Sequence, residues 1–173
     1  LTLDGFIDIV EIGCIDPDQI GRISLRYPKD GYKVIDNNPL RSRSAQYVLA
    51  MAAYRRYVNF YDIIHDQRAD GKIHSLSEKI EVIGHEETNK TYPDLYRSII
   101  TVKLKDGIRH LRDVTYPKGS PKNSMSHDML EKKFERLTQN VLDPARAQQI
   151  GEMIAHMEDS EDIGQFTRLL ATR

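Results

Sequence analysis

Hydrophobic positions recur in two different rhythms along this chain, and they change from one to the other several times. Leu3, Phe6, Ile7 and Val10 fall three and four apart, one face of a helix. The spacing predicts a helix from the start of the chain, with Gly13 as its left-handed stop. Pro17 disfavours helix at Asp16. Ile23, Leu25 and Tyr27 then alternate with Arg22, Ser24 and Arg26, the period of two of a strand with one wet face, and Pro28 ends it. Lys29 to Ser44 is polar and irregular. Ala45, Val48, Leu49 and Ala52 open a second helix, capped by Ser42 or Ser44, and its small residues permit close packing. Tyr54, Tyr57, Phe60 and Tyr61 follow at helical spacing as a core stripe. Asn59 is placed to cap a short helix through Ile64, Asp70-Gly71 to turn the chain, and Ser75 to Glu78 to form another helical turn.

Ile80 and Val82 predict a strand with Ile83 on its other face. Ser98 to Leu104 is the strongest strand pattern in the chain, with Ile100, Val102 and Leu104 on one side. Asp106-Gly107 is a hairpin signal, so Ile108 to Tyr116 is expected to return antiparallel. A Gly/Pro/Lys loop, Pro117 to Ser126, comes next. Beyond it every periodic segment is helical. Leu130, Phe134, Leu137 and Val141 form a stripe, with Asp128 and Glu131 as an Asp-type capping box. Asp143-Pro144 starts a second helix, faced by Ala147, Ile150, Ile154 and Met157. Ser160 is expected to cap a last one faced by Ile163, Phe166 and Leu169, with Glu161 and Asp162 at its positive end. These elements give an α+β fold: a small antiparallel sheet of three to four strands packed with helices, followed by a C-terminal helical tail. The expected division is 1–116, an α+β domain; 117–126, a linking loop; and 127–173, helices whose apolar stripes need a partner to cover them.

Composition narrows the field without naming a reaction. The 173 residues, 39% hydrophobic and 29% charged, suit a globular chain with a sizeable core. A net charge of −1 gives no electrostatic case for nucleic acid. No apolar run approaches a membrane span. One cysteine, Cys14, excludes an internal disulfide and a multi-cysteine metal site, and fits a reducing compartment. It follows a helix C-terminus, where the dipole disfavours a thiolate, so it is expected as a buried small hydrophobe. There is no signal-peptide pattern, and the first residue, Leu1, already lies in a helical pattern, which suggests a piece of a longer protein. His65, His74, His85, His110, His127 and His156 include no pair at the four-residue spacing of a helical zinc site. GxSxG, Walker A and GxGxxG are all missing. Two basic loops remain. Lys29, Lys33, Arg41 and Arg43 face only Asp30 and Asp36, and Lys118 and Lys122 flank Gly119 and Pro121. Either loop has the residues to close over a carboxylate or phosphate, or simply to stay in water.

The run VKLKDGIRHLRDVTYPKGSPKNSMSHDMLEKKFERL, Val102 to Leu137, resembles the MmgE/PrpD family. That family has a strand, a DG turn, a strand, a P-x-G-x-P-x-N-P-x-S loop and an L-x-x-K-F helix. This chain supplies Pro117, Gly119, Pro121, Asn123 and Ser126, then Leu130, Lys133 and Phe134, and departs at Ser124, where the family has proline. Tyr32 to Arg56 resembles the family's linker and buried helix. Leu76 to Val82 is similar to its L-x-x-K-V-x-V approach to a strand, and the opening 28 residues to its helix, D-P-x-x-I loop and first strand. The resemblance implies a lyase or isomerase of small di- or tricarboxylates, needing no redox cofactor; from the histidine spacing no metal is expected either. Its members, among them 2-methylcitrate dehydratase, cis-aconitate decarboxylase and iminodisuccinate epimerase, abstract a proton next to a carboxylate. They combine a large helical domain with a smaller α+β lid, usually in a cytoplasmic homodimer. By that likeness this chain is the lid and the tail that rejoins the helical domain, most like that of a 2-methylcitrate dehydratase, and inactive alone. Decarboxylation or epimerisation is the alternative within the family, and a free-standing carboxylate- or partner-binding module the alternative outside it. Most family catalytic residues belong to the helical domain, so none is carried over. The substrate-binding candidates are Ser44, Gln46 and Tyr47, at the start of the buried helix, and Lys118 in the loop. Gln46 and Tyr47 are equally readable as ordinary helix and core residues.

Overall fold

A computed structural model of the chain describes residues 2–59, 63, 71–160 and 162–171. The chain divides into two compact units, Leu1–Ser124 and Met125–Arg173. The first is α+β. Its strands β1 (Ile20–Pro28), β2 (Ile80–His85), β3 (Ser98–Leu104) and β4 (Arg109–Val114) form one sheet in the order β2-β1-β3-β4. Its helices are α1 (Thr2–Ile12), α2 (Ala45–Arg55), α3 (Gly71–Ser77) and the single turn α4 (Glu86–Asn89). The expected helix from Asn59 through Ile64, the Phe60–Tyr61 stripe and the Asp70 turn fall largely outside the described residues.

The alternation read from the sequence is the alternation of burial. Ile23 and Leu25 of β1, Ile80 and Val82 of β2, and Ile100 and Val102 of β3 point to one side, where they meet Phe6, Ile9 and Val10 of α1 and Leu49, Ala50 and Met51 of α2. Helix α1 lies over β3 and β4, and α2 against α1, α3 and β2. The β3–β4 hairpin turns as its Asp-Gly pair requires: Gly107 takes φ +94°, Leu104 N–H donates to the Ile108 carbonyl, and Ile108 N–H to Asp106 Oδ1.

One pairing departs from the antiparallel expectation. Strand β2 runs parallel to β1, with Ile23 opposite Ile80 and Leu25 opposite Val82. The connection from Lys29 to Lys79 is no hairpin; it carries α2 and α3 across one face of the sheet, and a crossover of that kind returns the chain in the same direction. The other two pairings, β1–β3 and β3–β4, are antiparallel.

The ends of several elements also differ from the sequence reading. At the end of α1 it is Cys14, not Gly13, that takes the left-handed conformation, with φ 45°. That turn carries Cys14 outward, so the cysteine is exposed rather than buried. Strand β4 stops at Val114. In the second unit, α5 (His127–Thr138) is capped by Ser126, whose hydroxyl accepts from Met129 N–H, so Asp128 lies inside the first turn instead of at the cap. Helix α6 (Pro144–Ala155) begins as expected, with Asp143 accepting from Arg146 N–H. Helix α7 (Ile163–Leu170) is capped by Asp162, not Ser160, because the chain first makes a 3-10 turn at Met157–Asp159. Arg146 closes the far end of α7: Nε donates to the Leu169 carbonyl at 2.7 Å and a terminal nitrogen to that of Ala171 at 2.5 Å. In this unit Ile150 is buried among the described residues, while Leu130, Leu137 and Val141 stay 51%, 53% and 68% exposed.

Candidate functional site

The basic connection after β1 folds around one glutamine. It makes two 3-10 turns, Tyr32–Val34 and Arg41–Arg43, and delivers the chain to α2. Gln46 is buried in the first turn of α2. Its amide nitrogen donates to Asp36 Oδ1 at 2.7 Å, and its amide oxygen accepts from Asn37 N–H at 2.9 Å. Asn37 sits at φ 46°, a conformation asparagine tolerates better than most residues. Asn38 adds two more clasps, to the Val34 carbonyl and from Leu40 N–H. Of the sequence signals here, the turn formers account for the bends, and Gln46 for their being held.

Ser44 is the N-cap of α2, and its Oγ accepts from Tyr47 N–H. Ala45 N–H donates to the Ile35 carbonyl and Val48 N–H to that of Ser44. Of the donors at this end of the helix, those of Ser44, Ala45 and Tyr47 are satisfied within the chain. Tyr47 is half-buried, and the Arg41 guanidinium lies 5.3 Å from its ring centroid. Arg43, Ser42 and Ser44 share a hollow of about 410 Å³ with Tyr27, Val34 and Leu3. Burial, and the neighbouring Tyr96 and Tyr92, push the Tyr27 hydroxyl's pKa up, so it stays a neutral donor.

Lys118 lies apart from these three, in a hollow of about 220 Å³ that also takes a wall from α1. Its backbone N–H donates to Asp4 Oδ2 at 3.3 Å and its Nζ to Asp8 Oδ1 at 3.2 Å, while Arg112 reaches Asp8 Oδ2 at 3.3 Å. Asp4 and Asp8, one helical turn apart on α1, therefore hold both the loop and β4. The loop is itself closed: Gly119, at φ +90°, donates to the Asn123 carbonyl, Asn123 N–H to the Ser120 carbonyl, and Asn123 Nδ2 to the Tyr116 carbonyl. The structure thus brings Ser44, Gln46 and Tyr47 together at the start of α2 and places Lys118 in a different cluster.

A third charged cluster has no local signature in the sequence. Asp18 accepts from Tyr54 Oη at 2.9 Å and from Lys72 Nζ at 3.0 Å, partners 36 and 54 residues away. The Lys72 and Tyr54 hydrogen bonds hold its carboxyl below the usual range. Lys79 and Lys105 line the same hollow, about 420 Å³. Among the described residues no group of three or more His, Cys, Asp or Glu is placed to hold a metal ion.

A family model for the MmgE/PrpD C-terminal domain matches residues 2–159. The chain belongs to that family. No curated protein matches the chain. The MmgE/PrpD match takes in all three charged clusters, Ser44, Gln46, Tyr47 and Lys118 among them, and continues through α5 and α6. No helix among the described residues of this MmgE/PrpD domain is long and apolar enough to cross a membrane.

Proposed function

We propose that this chain is the C-terminal portion of an MmgE/PrpD-type lyase of small di- or tricarboxylates, most like a 2-methylcitrate dehydratase. The observation that carries the reading is the family match over residues 2–159, joined to a domain whose clusters are rich in cations. On this reading the domain holds carboxylates, and a helical domain elsewhere in the protein removes the proton next to one of them. Arg43, Ser42 and Ser44, which line the α2 hollow, take one carboxylate, with Tyr47 in the same first turn of α2. An arginine matches that group with two parallel hydrogen bonds. Gln46 holds the bend that aims them. Lys118 takes a second carboxylate by exchanging its Asp8 partner for substrate, and its charge offsets the negative charge that builds up as the proton leaves. Loss of water from the adjacent carbon completes the reaction. The protein works as a homodimer in the cytoplasm, and the exposed stripe of α5 packs on the helical domain.

The test is turnover by the full-length protein with 2-methylcitrate, citrate and cis-aconitate. Dehydration of 2-methylcitrate is expected, with no turnover by residues 1–173 alone. Arg43→Met raises KM about tenfold, the size of one charge-assisted hydrogen bond. Decarboxylation of cis-aconitate in place of dehydration, or turnover by the 173-residue chain itself, refutes the assignment.

A further inference from the structure

Strand β4 ends the sheet, so one row of its backbone groups has no strand beside it. Which row follows from the hairpin. Leu104 N–H donates to Ile108 O at 2.8 Å, which makes that a hydrogen-bonded pair. Such pairs alternate along an antiparallel ladder. His110, opposite Val102, and Arg112, opposite Ile100, therefore bond to β3, and Arg109, Leu111 and Asp113 turn their N–H and C=O groups outward. Among the described residues no backbone group takes them. The side chains of the same three residues stand on the open face of the sheet, away from the core, where Leu111 is 62% exposed.

We propose that this edge pairs with a second copy of the chain, antiparallel, about a two-fold axis at Leu111. The observation that selects this register is self-complementarity. With Leu111 against Leu111, Arg109 of one copy faces Asp113 of the other, twice over, and all three pairs use the outward-turned backbone groups. On the opposite face the same register sets Ile108, 53% exposed, against Val114. A shift by two residues in either direction breaks both charge pairs. Asp113 already accepts from Arg97, at 2.9 Å and 2.5 Å, and a carboxylate has lone pairs for a further donor. Arg97 thereby fixes the acceptor that Arg109 of the other copy needs. The pairing joins two four-stranded sheets into one of eight strands and removes an exposed edge from each. It needs no substrate and goes beyond the catalytic reading, which names a homodimer without saying where it is joined.

The test is disulfide trapping in the full-length protein with Cys14 changed to Ser, because Cys14 is exposed. Hydrogen-bonded antiparallel partners lie about 5.5 Å apart at Cα, inside the range a disulfide spans. Leu111→Cys should cross-link to a dimer under mild oxidation. Arg109→Cys, whose two copies lie about 14 Å apart along the strands, should cross-link at least tenfold less. Arg109→Cys combined with Asp113→Cys should restore the dimer. Arg109→Asp, with no cysteine added, should raise the dimer dissociation constant about tenfold by sedimentation. Equal trapping by Leu111→Cys and Arg109→Cys overturns the proposal. A sedimenting dimer that Leu111→Cys fails to lock overturns it too, and leaves the catalytic reading and its homodimer intact. Failure of 2-methylcitrate turnover, in contrast, leaves the edge pairing untouched.

Discussion

Gly5 gives the sharpest test of how the first unit is packed. It lies buried in α1, facing the sheet where the helix crosses β3 and β4. A Cβ built there would overlap Val114 Cγ2 and sit 3.1 Å from Ile100 Cδ1 and 3.5 Å from Arg112 Cγ. Two effects oppose each other in Gly5→Ala. Helix propensity favours alanine by about 1 kcal/mol. Overpacking a filled core costs about 1–3 kcal/mol. The upper end applies here, because the overlapping atom belongs to a β-branched side chain with a stiff χ1 and the next one to buried Ile100. The net expectation is a loss of about 1–2 kcal/mol, read as a lower midpoint in guanidinium unfolding followed by circular dichroism. Val114→Ala removes the overlapping methyl, so in that background Gly5→Ala should cost nothing or stabilise. Unchanged or raised stability in the single variant refutes the close-packing account, and so does simple additivity in the pair, since residues in contact should couple.

Three further outcomes follow from particular contacts. Gln46→Leu leaves Asn37 N–H and Asp36 without their buried partner and should destabilise the chain by about 1–3 kcal/mol in the same unfolding assay; Gln46→Glu should do no better, because it sets a second carboxylate against Asp36. Ser126→Ala should lower the stability of α5 by about 1 kcal/mol, and more than Asp128→Ala, since the serine makes the cap; the reverse order in helix content would restore the aspartate as cap. The Arg97 hydrogen bond holds the Asp113 carboxyl below the usual range. A depressed folded-state pKa contributes stability that is fully present above the unfolded value, about 3.9, and lost as pH falls through the folded one. The side chain is 38% exposed, so solvent screens the pair and the term is small. Urea melts of wild type and Asp113→Asn should converge towards low pH, and a constant gap across the acid range would refute the linkage.

The parts of this fold that were legible in the sequence are those set by neighbours along the chain. Ile100 and Val102 alternate with Ile99 and Thr101, and burial follows that alternation. Asp106-Gly107 needs a positive φ at glycine, and has it. The parallel course of β2 was not legible, because Ile80 and Val82 carry the same period whichever way the strand runs. Its direction is set by the crossover through α2 and α3. The caps of α5 and α7 each moved by two residues for a related reason: Ser126, Asp128, Ser160 and Asp162 are all capable acceptors, and only the geometry of the preceding turn chooses among them.

The two basic loops show the limit most clearly. In one dimension Lys118 is a lysine beside a glycine in a loop that has no acid of its own, which reads either as a charge able to close over a ligand or as one that simply keeps the loop in water. In the fold it has two acids, Asp4 and Asp8, 114 and 110 residues away. Net loop charge therefore overstates what is on offer to a ligand, since the counter-ions are supplied by tertiary contact. A lysine with no partner binds any anion weakly, whereas one that must give up Asp8 binds only an anion that out-competes a carboxylate held on a helix. On the proposed function, a substrate with two or three carboxylates meets that requirement when one of them is held at the start of α2, because its second group then arrives at high local concentration. Asp8→Asn should then weaken discrimination between tricarboxylates and monocarboxylates in binding to the full-length protein while leaving Lys118 in place. If monocarboxylates gain no affinity in Asp8→Asn, Asp8 serves only to pin the loop.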